Sequence, residues 1–318
     1  MTEKKCAGNN HSAYSIFLHF SNSTLKNVFK STSNLVRQLF ALNKKYFMVK
    51  RLFIFIVINS MFITACTTNA ITGRHQLAFV SESSLQQEAV TQYKSFLTEN
   101  HVVSSNTDKD AEMVKRVGKR IAVAITKYYR DKGLSGELSG YNWEFNLVDS
   151  KEVNAWCMPG GKVVVYSGLL PITQNEAALA IVMGHEITHA VAHHGQERMS
   201  QALLAQGIGL TGDVFTSGNS NANNIFKSIY APGAQIGVLL PNSRNQEYEA
   251  DHYGLIFAAM AGYNPKEAIP FWTRMANLNS GSKTPEMLSD HPLDAKRIAK
   301  LQDYMPEAMK YYQPINSK

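Results

Sequence analysis

Cysteine is scarce in this chain: 318 residues contain three, at positions 6, 66 and 157. That excludes a fold stapled by disulfides, so a hydrophobic core has to carry it. With 44% hydrophobic residues, a chain of this length can bury one sizeable core in a single main domain. No period of self-similarity runs along it, which excludes a repeat array. After Cys66 no uninterrupted apolar run approaches the roughly 20 residues that a bilayer-spanning helix needs. Acidic residues are nearly missing from the first 65 positions, which hold nine of the 32 Lys and Arg but only Glu3 on the other side. From Cys66 onward 23 basic residues face 24 acidic ones. The formal charge of +7 therefore belongs to a leader, and no nucleic-acid partner is expected for the rest.

What is present begins with that leader. Lys50 and Arg51 form a positive n-region, Leu52 to Phe62 an apolar h-region, and Ile63-Thr64-Ala65-Cys66 closes it. The closing residues resemble the lipobox of a bacterial lipoprotein. The resemblance implies a signal peptide over 48–65, cleavage before Cys66, and attachment to a membrane through lipid on Cys66. The alternative is a signal anchor with a bystander cysteine, against which the apolar run is short. Thr67 stands where a residue resembling an inner-membrane retention signal would be aspartate, so a periplasm-facing position on the outer membrane is favoured. Residues 1–47, polar and weakly patterned, are a leader or lie upstream of a true start at Met48. Residues 66–80 are expected as a tether and 81–318 as the folded domain. Cys157 reads as a packed small hydrophobe.

Periodicity predicts an α+β domain, mainly helical with a small, mainly antiparallel sheet. Leu85, Ala89, Tyr93, Phe96 and Leu97 mark one helix behind Ser83 and Ser84, and Val114, Val117, Ile121, Ala124 and Tyr128 mark a second. Past the glycines of 133–140, three strands follow: Trp143–Val148, Val153–Cys157 and Lys162–Tyr166. Thr173 and Glu176 predict a capping box ahead of a helix running to His194, and Ser243 and Gln246 another ahead of one running to Met260. Between them, 206–234 reads as a flap or broken helix, or as an irregular surface excursion. A last helix is expected to open at His291-Pro292.

The long helix from Thr173 carries His185-Glu186-Ile187-Thr188-His189. Two histidines four apart share a helical face, with the glutamate about 100° round from the first. Neutral imidazoles suit Zn²⁺, and Glu186 can take a proton from a water that the metal acidifies. Two histidines are not enough, because a catalytic zinc site wants three protein ligands and one open position. Glu247 and Asp251, also four apart, offer a carboxylate for the metal and another to hold a histidine ring; an acidic first turn that merely suits the helix dipole is the plainer reading. An oxyanion formed at such a site needs a second electrophile, for which His291, His252 and Tyr253 are candidates. His193 and His194 lie past the metal-binding turn and read as surface residues or as packing behind the ligands, rather than as ligands. The strand bearing Asn154-Ala155-Trp156 can align an extended peptide by pairing with its backbone.

Together these segments resemble the HtpX-like and CAAX-prenyl-protease-like zinc metallopeptidases, and more narrowly their soluble lipoprotein members. The residues carrying the resemblance are the His185 to His189 run, Glu247 to Asp251 after Leu240-Pro241-Asn242-Ser243-Arg244, Asn154-Ala155-Trp156 with Pro159-Gly160-Gly161, and Gly168-Leu169-Leu170. The resemblance implies a zincin-like metallopeptidase fold of the gluzincin type, one Zn²⁺ on His185, His189 and Glu247, Glu186 as base, and Asp251 as the acidic partner of the ligands. It also implies misfolded or unassembled envelope proteins as substrates in protein quality control. It extends to the His291-Pro292 dipeptide, which favours His291 as oxyanion stabiliser or as a latch on the open metal position. The rival class is a chaperone-like assembly factor that holds extended polypeptide in the same cleft and seldom cuts.

Overall fold

The computed structural model describes residues 66–206, 215, 220–230, 243–278, 285–293 and 295–315, together with 27, 30–34, 37, 44 and 46–53. The chain divides into two units, 1–64 and 65–318. In the first, 30–34 and 46–53 are helical and exposed. Most of the expected h-region and the Ile63–Ala65 step lie outside the described residues, and none of the described helices is long and apolar enough to cross a membrane.

The second unit opens with a hairpin, β1 (Cys66–Thr68) antiparallel to β2 (His75–Leu77). Its turn is held by Asn69, whose Oδ1 accepts from the backbone N–H of Ile71 and Thr72, and Gly73 takes the left-handed φ of 71° that this turn requires. The segment expected as a tether is thus folded onto the domain. The Asn69 side chain donates to the carbonyl of Ala192, the Tyr253 hydroxyl donates to that of Ile71, and the N–H of Phe79 donates to the Ser200 hydroxyl.

Helices α1 (Glu82–Glu99) and α2 (Lys109–Asp131) follow, separated by a two-residue strand β3 (Val102–Val103) that the sequence reading did not foresee. Ser81, rather than Ser83 or Ser84, caps α1, accepting from the Ser84 N–H, and Asp108 caps α2 in the same way. Strands β4 (Glu144–Val148), β5 (Ala155–Met158) and β6 (Lys162–Tyr166) complete a sheet of order β3-β4-β6-β5. Its outer pairs are antiparallel and its central pair, β4 with β6, is parallel. Among the described residues, that order leaves β5 as an edge strand.

Strict alternation along these strands builds two cores. Phe145, Leu147, Val163 and Val165 face a large core with α2. Val164, Tyr166, Trp156 and Met158 face a smaller one with Leu85, Ala89 and Tyr93 of α1. The sheet is therefore buried on both faces, which explains why Lys162 to Tyr166 is apolar almost throughout.

A single turn, α3 (Leu170–Thr173), leads into α4 (Glu176–Val191). Thr173 ends α3 and bonds back to Leu170; Asn175 is the real cap of α4, accepting from the Ala178 N–H. From Ala178 to Val191 every residue of α4 is buried, as expected of a helix apolar all round that threads a core. It stops short of His194: His193 adopts φ 55° and breaks the run, and α5 (His194–Ala205) starts beyond it. Of the 206–234 segment, the described residues are Gln206, Phe215 and a regular helix, α6 (Ser220–Tyr230), that buries Ala222, Ile225 and Phe226 in the smaller core.

The second long helix, α7 (Ser243–Met260), crosses α4. At the crossing Gly184 meets Gly254: a Cβ on Gly254 would sit 2.9 Å from the backbone N of His185, and one on Gly184 2.8 Å from the Gly254 carbonyl oxygen. Only glycine allows the backbones this close. The remaining α-helices among the described residues are α8 (Ala268–Leu278), α9 (Glu286–Asp290) and α10 (Ala295–Tyr311). His291 is the residue that closes α9, not the start of the last helix, and its backbone N–H donates to Met287.

Candidate metal centre

The close crossing of α4 and α7 brings the HEITH turn against the start of α7. Nε2 of His185 and Nε2 of His189 lie 3.2 Å apart. Glu247 reaches in from α7, one oxygen 3.4 Å from Nε2 of His185 and the other 3.5 Å from Nε2 of His189. Nδ1 of His291, arriving on the loop after α9, is 3.1 Å from Glu247 and 3.4 Å from Nε2 of His185. One donor atom from each of these four buried residues falls within 4.8 Å of the others.

The neighbours of these atoms decide what the cluster can hold. Nδ1 of His185 lies 3.0 Å from Asp251, and Nδ1 of His189 lies 2.9 Å from Nδ1 of His194. If both Nδ1 atoms carry the proton, the two Nε2 lone pairs face each other and Glu247, an arrangement that a shared cation satisfies. The charges make this a place for a positive charge, which a proton on His185 or a bound cation can supply. Burial opposes a charged His185, yet Asp251 and Glu247 overcome it and raise the ring to about 9. Burial likewise opposes a charged Glu247, but His291, His189 and Arg297 hold it well below the usual carboxylate range. His189, desolvated and beside other imidazoles, is held well below its ordinary value. The donor set of imidazole and carboxylate therefore fits a borderline divalent cation.

Glu186 sits beside the cluster, 4% exposed, with Oε1 lacking any hydrogen-bond partner and 3.5 Å from Nε2 of His291. A buried carboxylate oxygen without a partner is costly unless the site uses it.

Two arginines on the acidic run of α7 were missed in the sequence. Arg297 of α10, 2% exposed, makes paired bonds to Asp251 at 2.8 and 2.9 Å, lies 3.2 Å from Glu247, donates to the carbonyls of His291 and Pro292, and stacks over Trp272. Arg198 of α5 is 3.5 Å from Glu247. A readable signal did exist for Arg297: it shares the inward face of α10 with Leu301, four residues on, and a cation on an apolar face needs an anion opposite it. His194, expected either at the surface or packed behind the ligands, takes the second place, between His189 and Glu249. His252 instead meets Glu307, and Tyr253 the hairpin, so of the three electrophile candidates only His291 reaches the cluster.

His189 and His291 of the cluster, with Glu186, line a cleft that also takes in Ala155, Trp156 and Cys157 of β5 and Ile229 and Tyr230 of α6. Asn154 does not line it. That residue is 1% exposed, its Oδ1 accepts from the Ala155 N–H, and its carbonyl accepts from Tyr166. Burial pushes the Cys157 thiol up, away from a reactive thiolate.

Residues 108–305 match the sequence family described as Peptidase family M48. The chain is 34% identical over 194 residues to mitochondrial metalloendopeptidase OMA1 of Saccharomyces cerevisiae, covering 58% of this chain and 54% of that protein. It is 29% identical over 266 residues to the metalloendopeptidase OMA1 of Bos taurus, covering 80% and 49%. Similarity to the beta-barrel assembly-enhancing protease of Yersinia pestis is 32% over 162 residues, 49% of this chain and 33% of that protein. The chain thus spans about half the length, or less, of these curated relatives.

Proposed function

The chain belongs to peptidase family M48, and on that premise we propose that it is a zinc-dependent metalloendopeptidase. The observation that carries the reading is the convergence of His185, His189 and Glu247 from two helices, with the buried Glu186 beside them, one of its oxygens without a hydrogen bond among the described residues. His185, His189 and Glu247 hold the metal, and Asp251 fixes the ring of His185. Bound zinc supplies Lewis acidity, polarising a scissile carbonyl and making water acidic enough to deprotonate near neutral pH. Glu186 accepts the proton of the attacking water and returns it to the departing amine. His291, whose donor atom lies in the same cluster, would be a fourth donor at rest. When it turns aside, its N–H is available to the developing oxyanion. The outer edge of β5, which pairs with no strand among the described residues, has the backbone of Ala155 facing outward, where an extended peptide can pair with it.

The substrate class that follows is unfolded or misassembled polypeptide. The leader before Cys66 supports an envelope setting, with lipid on Cys66 tying the enzyme to the periplasmic face of the outer membrane. Zinc-dependent cleavage is tested on a denatured, alkylated protein with wild type, Glu186→Gln and wild type plus chelator. Cleavage in the first sample alone is expected. Cleavage that persists in both others rules out zinc catalysis, and binding without cleavage in any sample favours a chaperone.

A further inference from the structure

Arg74 lies in the hairpin, far from the HEITH helix in sequence, yet it heads an unbroken polar chain to His189. Its guanidinium forks between two carboxylates: Nε is 2.7 Å from Oε1 of Glu249, while Nη1 and Nη2 are 2.8 and 2.7 Å from the two oxygens of Glu197. Glu249 continues inward, with Oε2 2.8 Å from Nε2 of His194. His194, fully buried, then places Nδ1 2.9 Å from Nδ1 of His189.

The protons on this chain are set by its ends. Arg74 is a permanent cation, so Glu249 stays an anion that can only accept. Against that carboxylate His194 donates from Nε2, which lets its Nδ1 accept the Nδ1–H of His189. With that bond made, Nε2 of His189 is left bare and aimed at Glu247 and His185. The side branch is also closed: Glu197, 1% exposed, accepts from Gln246, which in turn accepts from Arg198 beside Glu247.

We propose that Arg74 is a positioning residue for the metal centre, fixing through Glu249 and His194 the tautomer and ring orientation of His189. The hairpin directly after Cys66 is then a structural part of the site rather than a spacer. The inference rests on the zinc reading above.

The test is zinc affinity, measured by competition with a chromogenic chelator, alongside the thermal unfolding of each metal-free protein. Outer partners of a metal-bound histidine are worth about 10- to 100-fold in affinity. Arg74→Gln and Glu249→Gln are each expected to weaken zinc binding by about that factor, and the double variant by little more than the larger single loss, because both cut one chain. Arg74→Lys, which cannot fork between two carboxylates, should fall between. Ser200→Ala removes the Phe79 bond that docks the same segment without touching the chain, and should leave affinity within about twofold. The proposal is overturned if Glu249→Gln, folded as judged by its unfolding curve, binds zinc like wild type. It is equally overturned if Ser200→Ala weakens zinc as much as Arg74→Gln does, since docking alone would then explain the loss. Should Arg74→Gln not fold, Glu249→Gln decides. A wild type that binds no zinc refutes the functional reading instead, a distinct outcome.

Discussion

Replacing Arg297 by alanine should be among the most damaging single changes in this molecule. The guanidinium is almost fully buried and compensates Asp251 through two short bonds, with Glu247 and two backbone carbonyls as further partners. Removing one member of a buried ion pair costs about 3–5 kcal/mol, because the remaining charge is left without compensation. A domain of this size is stable by only about 5–15 kcal/mol, and at roughly 2–4 °C per kcal/mol the loss lowers the melting temperature by about 6–20 °C. The sign of the pH dependence follows from Asp251. Burial alone would raise its pKa, but Arg297 and His185 hold it below the ordinary value. Its stabilising contribution is therefore complete above the unfolded pKa near 3.8 and is lost as pH falls through the folded value. In Arg297→Ala, burial is no longer opposed by Arg297, so Asp251 takes up a proton at higher pH and the gap between variant and wild type narrows from pH 7 towards 5. Urea unfolding of the metal-free proteins across that range measures both effects. A gap under about 1 kcal/mol at pH 7, or one that widens on acidification, refutes the reasoning.

Four further outcomes are expected. Gly254→Ala forces α4 and α7 apart at His185; it should cost about 1–3 kcal/mol in denaturant unfolding and weaken zinc binding, whereas an unchanged zinc affinity would show that the close crossing does not set the site. His193 is opposed by burial but raised to about 9 by Glu137 and Glu82, so up to about 3 kcal/mol of stability is fully present below pH 6.5 and lost as pH rises through 9; a ring that titrates near 6.5 by NMR contradicts this. His291→Ala should weaken zinc binding and change the cleavage rate, and no change in either removes both roles assigned to it. Glu186→Gln should keep zinc affinity close to wild type while cleavage falls at least about 10²-fold; a parallel loss of zinc would make Glu186 a ligand instead of a base.

The parts of the site that were legible in the sequence are those that depend on short spacing. His185 and His189 are four apart and so are Glu247 and Asp251, and helical geometry alone puts each pair on one face. The strands were legible from the alternation of β4 and, for β5 and β6, from the Pro159-Gly160-Gly161 turn that joins them. The turn after α4 was not, because nothing in a run of good helix formers predicts that His193 will take a left-handed conformation, which the flanking carboxylates of Glu82 and Glu137 accompany. The cap moved from Thr173 to Asn175 for a related reason: both residue types cap well, and the single turn of α3 took Thr173.

What could not be read locally is the way the two histidines are held. Each is backed by a carboxylate that is itself pinned by a buried or half-buried arginine: His185 by Asp251 and Arg297, His189 through His194 by Glu249 and Arg74. The two arginines come from opposite ends of the folded unit, β-hairpin and last helix, and neither carries a local signature of metal chemistry. A carboxylate alone could orient an imidazole, but in a buried site it could also pick up a proton and let the ring turn. Pairing each with an arginine removes that freedom, because it keeps the carboxylate an anion down to acidic pH. The HEITH turn thus supplies the donor atoms, while their geometry is imposed from residues more than a hundred positions away on either side.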